Sequence, residues 1–119
     1  MKIKTKRIYE EPDANDGYRI LTDRLWPRGM TKEKAHLDEW NKDIAPSSGL
    51  RKWFGHKAER FDEFSKHYLE ELGQHNEELE RLVKISEKKN LTLLYAAKEE
   101  KINHTAVLKN KIEEMKKSL

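Results

Sequence analysis

The 119-residue chain carries 25 Lys and Arg against 22 Asp and Glu, a formal net charge of +3, with 39% charged and 35% hydrophobic residues. That length suits one domain with a single modest core, and the spaced aromatics (three Trp, four Tyr, three Phe) set the composition apart from a disordered one. Without cysteine there is no disulfide framework, thiol nucleophile or Cys-ligated metal. No apolar run approaches the ~20 residues of a membrane span and the N-terminus shows no signal-peptide core, so a cytoplasmic protein with no membrane partner is expected.

In chain order, MKIKTKRIY alternates Lys2, Lys4 and Lys6 with Ile3, Thr5 and Arg7, which predicts a strand whose solvated lysine side guards a sheet edge. EEPDANDG is turn chemistry, and a second strand follows over 18–23 until Trp26-Pro27-Arg28-Gly29 stops it. Thr31 caps a short helical turn. LDEWNKDIAPSS reads as a short extended piece ending at Pro46, after which Ser47 or Ser48 caps a helix that turns Leu50, Trp53 and Phe54 inward and stops at Gly55. Phe61, Phe64, Tyr68, Leu69 and Leu72 have the rhythm of a helix ending at Gly73. Leu79, Leu82, Val83 and Ser86 repeat it in a next helix, with Asn76 as its cap. LTLLYAA is a continuous apolar run of strand length, suited to a central strand covered on both faces. Asn103 caps a last helix with Val107 or Leu108, Ile112, Met115 and Leu119 inward. The expectation is an α/β fold, a small mainly parallel or mixed sheet of three or four strands flanked by helices in a single domain.

In open α/β sheets ligands bind beyond the carboxyl ends of the strands. Parallel strands bring three segments there: 23–28, 43–48, and Tyr95 to Lys98 with Asn103-His104 at a helix start. Arg19, Arg24 and Arg28 stand in one of the most apolar stretches of the chain, where a charged guanidinium needs a partner. Arg24, Trp26, Arg28, Lys98 and Asn103 are therefore candidate binders of a small anionic ligand carrying phosphate or carboxylate groups. Asp23, Tyr95 and His104 are the candidate acid/base groups of an enzyme acting on such a ligand.

DGYRILTDRLWPRG, LDEWNKDIAPS, LRKWFGH and LTLLYAAKEEKINHTAVL resemble the YeaO-like proteins, domain-of-unknown-function family 488, over nearly the whole of residues 1–119. The resemblance implies a small bacterial or archaeal α/β protein and brings no established activity. The family's signature positions match Asp23, Arg24, Trp26, Pro27, Arg28, Gly29, Asn103 and His104. Before that Asn the family often has Arg or Lys followed by Asp, where this chain has Lys98-Glu99, a mild departure that keeps the charges. Some members bear a transcription-regulator label, but no helix-turn-helix with a basic recognition helix is visible here.

Each sharp reading has a plainer rival. Arg24 and Arg28 pair with Asp23, Asp38, Glu39 or Asp43 if they only pin a loop. Trp26 before Pro27 is a packing anchor or a stacking platform, and Tyr95 a buried tyrosine or a hydroxyl facing a ligand. His104 caps its helix or works as a neutral imidazole. His36, His56, His67 and His75 lie far apart, no pair has ligand spacing, and no metal site is expected. There is no G-x-G-x-x-G, Walker lysine loop or G-x-S-x-G elbow, which leaves the cofactor unspecified. A nucleic-acid-binding or regulatory module, using Lys2, Lys4, Lys6, Arg7 and the tail lysines 109, 111, 116 and 117, is the less favoured alternative. A protein–protein adaptor acting through Trp53 and Phe54 is a third.

Overall fold

The apolar run becomes the middle of the sheet. In the computed structural model, which describes residues 2–118, four strands run in the order β1-β4-β2-β3 and every neighbouring pair is parallel. They are β1 (Ile3–Arg7), β2 (Tyr18–Leu21), β3 (Glu39–Trp40) and β4 (Leu91–Tyr95). All five residues of β4 are buried, as a strand with neighbours on both sides and layers on both faces must be. The lysine-bearing β1 lies at an edge.

Register sorts the residues onto two unlike faces. Ile3, Ile20, Leu91 and Leu93 pack into the larger core beneath three long helices, α3 (Phe61–Leu72), α4 (Asn76–Lys88) and α5 (His104–Ser118). Lys4, Lys6, Arg19, Leu21, Thr92 and Leu94 point to the other face, which has only the short helix α1 (Lys32–Ala35) and loop segments over it. A second, smaller apolar cluster of Ile8, Leu21, Ala35 and Leu94 closes that side.

Beside that cluster the thin face hides an acid. Asp16 is fully buried, with Arg19 at 2.5 Å, Lys4 at 2.8 Å and Lys6 at 3.0 Å. Burial alone would push this carboxyl up, but the contacts with Lys4, the Asp13 backbone N–H, Lys6 and Arg19 hold it well below the usual carboxylate range. The lysine side of β1 is thus partly consumed by an ion cluster rather than left to solvent. Gly17 brings the loop in: its φ of +64° and an approach so close that a Cβ would lie 2.2 Å from the Asn90 carbonyl oxygen both require glycine.

Several boundaries and directions differ from the pattern reading. β2 ends at Leu21, and the third extended piece shortens to two residues because Asn41 turns in to hold the Ile44 N–H. Ser47 caps α2 (Ser48–Phe54) and Gly55 ends it in a left-handed conformation, but Trp53 and Leu69 stay 38% and 43% exposed instead of facing the core. Asn76 opens α4 as its first residue without capping it, since the preceding His75 occupies the cap position. Asn103 does cap α5, its Oδ1 accepting the Thr105 N–H at 2.8 Å. The expected inward turn of Leu119 lies outside the described residues.

Candidate functional site

Because all four strands run the same way, the loops after β2, β3 and β4 meet at one end of the sheet. There a pocket of about 550 Å³ is lined by Asp23, Arg24, Trp26, Arg28, Asn103 and His104, joined by Arg51 and His56. The residues 23–28 and 103–104, far apart in sequence, share this one hollow. Phe54, Phe64, Leu25 and Pro27 supply an apolar wall.

His104 opens α5 with its ring Nε2 at 2.9 Å from the Thr22 carbonyl oxygen, 3.2 Å from Thr22 Oγ1 and 3.3 Å from Asp23 Oδ1. A carbonyl can only accept, so Nε2 carries the hydrogen and, in the neutral ring, Nδ1 is the bare acceptor. Asp23 Oδ2 accepts the Ala96 N–H at 2.9 Å, which ties the loop after β2 to the end of β4. Burial pushes the Asp23 carboxyl up, against the fields of His104, Arg51 and His56 and the Ala96 hydrogen bond. Burial pushes His104 down, against the pull of Asp23. Both shifts favour the less charged pair.

The arginines of the opening stretch divide their work. Arg19 is locked to Asp16 and to the carbonyls of His36 and Ala35. Among the described residues Arg24 meets no acid: its Nε and Nη2 donate to the carbonyls of Pro46 and Ala45, and its other N–H groups have no acceptor there. Arg28 is exposed, and its guanidinium forms no ion pair among the described residues. Trp26 lines the pocket while packing edge-on against Trp40 at 5.2 Å and donating to the Met30 carbonyl. The Asn103 side chain is spent on its own loop, donating to the Glu99 and Glu100 carbonyls as it caps the helix.

Two candidates stand elsewhere. Tyr95 is buried and lines neither hollow at this end of the sheet. Lys98 faces an adjoining depression with Arg7 and Tyr9, which touches the pocket through Tyr9, His56, Ala96 and Ala97.

Pattern reading missed Arg51. It lines the pocket from α2, and its buried Nε has no hydrogen-bond partner among the described residues. The signal was present, since Arg51 lies three residues before the inward Phe54 and so shares its helical face. Three guanidinium groups then line the pocket against a single carboxylate. Among the described residues, no group of three His, Asp or Glu side chains is placed to hold a metal ion.

Among the described residues no helix is long and apolar enough to cross a membrane. Over 108 residues the chain is 50% identical to the uncharacterised protein YeaO of Escherichia coli, covering 91% of this chain and 94% of that protein. The uncharacterised protein Mb3100c of Mycobacterium bovis is 40% identical over 107 residues, 90% of each chain. No solved structure matches. A family model described as the inactive DUF488-N3 subclade matches residues 2–118. With the relatives agreeing across nine-tenths of its length, the chain belongs to the YeaO-like DUF488 family.

Proposed function

We propose that the pocket binds a small anionic ligand, a phosphate, nucleotide or carboxylate, with an apolar portion resting on the Phe54 side. One observation carries this reading: Arg51 lines the pocket, and among the described residues its side chain has no ion pair and its buried Nε no acceptor. A guanidinium at a pocket wall with no internal counter-charge is costly, and a bound anion is the natural way to balance it. Arg28 adds an unpaired charge at the rim, and Arg24 offers the N–H groups its two carbonyl bonds leave over. A volume of about 550 Å³ falls within the range typical of small-molecule sites, roughly 300–1,000 Å³.

The subclade's description as inactive favours binding over turnover. In that role Asp23 and His104 position the ligand; in an enzyme they would be the acid/base pair. A cytoplasmic setting is part of the same reading. The nucleic-acid alternative loses support, because Lys4 and Lys6 are engaged by Asp16 while Lys109 and Lys111 lie 4.0 Å from Glu113 and Glu114. Thermal-shift and calorimetric titration with phosphate, sulfate, short carboxylates and nucleotides test the proposal. At least one of these anions should stabilise the native protein, and Arg51→Met should weaken that anion about tenfold or more. If none binds, or if binding ignores Arg51, the reading fails.

A further inference from the structure

Asp23 is an unexpected presence in a pocket lined by three arginines, and its hydrogen bonds leave it short of donors. Oδ2 has the Ala96 N–H, but among the described residues Oδ1 has only a share of the single hydrogen on His104 Nε2, at 3.3 Å. That hydrogen lies nearer the Thr22 carbonyl, at 2.9 Å. Thr22 Oγ1 cannot help, because its own hydrogen goes to the Leu94 carbonyl. Among the described residues no arginine comes within ion-pair distance of Asp23; its one such contact is His104. An anion drawn in by Arg51 and Arg28 shares the pocket with a carboxylate whose Oδ1 lone pairs still have room for a hydrogen.

That requirement sorts anions by whether they keep a proton. Sulfate and carboxylates at neutral pH offer only lone pairs, which meet Asp23 with repulsion. Inorganic phosphate keeps a hydroxyl at neutral pH, and a phosphate monoester carries a proton about half of the time near pH 6. We infer that Asp23 makes the pocket selective for a phosphoryl group bearing a proton, in inorganic phosphate or a phosphate monoester, over sulfate and carboxylate. The inference rests on the anion-binding reading above and narrows it. It works by rejection as much as by attraction, since the wrong anion leaves Oδ1 unpaired against a like charge.

The test is calorimetric titration of the full chain near pH 6 with two matched pairs, phosphate against sulfate and phenyl phosphate against phenyl sulfate. Within each pair the shape is shared; the phosphoryl member alone has an ionisable hydroxyl, and because it is the less charged member of the first pair and the more charged member of the second, charge alone cannot favour it in both. The phosphoryl member of each pair should bind at least about tenfold more tightly. Tighter phenyl phosphate than phosphate assigns the site to an ester resting on the Phe54 wall; the reverse order assigns it to the free ion. Asp23→Asn keeps an acceptor for the Ala96 N–H and replaces the charge, so sulfate should gain and each ratio should shrink to about threefold or less. Equal binding within both pairs by the unaltered protein overturns the selectivity while leaving the anion site standing, whatever the variant does. Binding of no member of either pair removes the anion site itself.

Discussion

Asp16 and Asp23 stand two residues beyond opposite ends of the same strand, β2, each with cationic side chains nearby, one fully buried and the other only partly, and they illustrate two fates for an acid among cations. Asp16 faces the thin side of the sheet, where the loop led in by Gly17 delivers it between Lys4, Lys6 and Arg19. Every charge there has a partner inside the chain, so the cluster has no use for a ligand. Asp23 lies at the open end of the strands, where the arginines are held away from it: Arg24 by two carbonyls, Arg28 by exposure and Arg51 by its place on α2. The residue types are nearly the same. What differs is whether acids and bases come within contact distance, and that separates a cluster closed on itself from the pocket proposed to take an anion.

The sharpest way to break the comparison is to remove the internal acid. Asp16→Asn leaves the buried Arg19 without its counter-charge, and urea unfolding should show a loss of about 3–5 kcal/mol. Arg19→Met, the reverse cut, leaves the carboxylate with its lysines and should cost somewhat less, about 3 kcal/mol in the same assay.

Titration separates the regions further. The Asp16 carboxyl is held below its ordinary value of 3.8, so the unfolded chain takes up that proton first as pH falls. The stability it contributes is whole above that value and is lost as pH drops through the folded one. His104, held below 6.5 by burial, acts in the same sense at higher pH, so its contribution fades as pH falls below 6.5. Asp23, pushed up by burial, binds its proton more readily when folded and partly offsets that loss. Unfolding free energy followed against pH should fall gently below 6.5 and steeply below 4, and Asp16→Asn should flatten only the steep part.

The smallest effect on stability is expected at the pocket. Arg51→Met relieves a buried donor that has no acceptor among the described residues but gives up the packing of the longer side chain, and these opposing effects should leave the unfolding free energy within about 1 kcal/mol of its original value. A guanidinium that matters to folding as much as Arg19 does would contradict the division between the two regions.

How much of this the chain declares in advance depends on the kind of signal. Leu91 to Tyr95 announces a central strand because no charge interrupts the run, and Phe64, Tyr68 and Leu72 announce a buried helix face by spacing alone. The convergence of 23–28 with 103–104 follows from parallel strands, whose loops must share an end. Partner choice among charges is another matter. Arg19 and Arg24 look alike in sequence, yet one meets a buried acid and the other two carbonyls, because alternation along β2 turns Arg19 toward the Asp16 loop. Asp16 itself reads as a turn residue in PDANDG, and only the fold reveals the three cations around it. Trp53 has the period of a core residue, but a seven-residue helix at the periphery cannot bury so wide a face.

The claim that Arg51 is a cation awaiting an anion is best tested by calorimetric titration of inorganic phosphate into the unaltered protein and into Arg51→Met, with native unfolding confirmed for both. Saturable binding to the first, weakened about tenfold or more in the second while the fold's stability barely changes, is the expected result. Phosphate, sulfate, carboxylates and nucleotides all leaving the unaltered protein untouched, or phosphate binding equally to both, would contradict it.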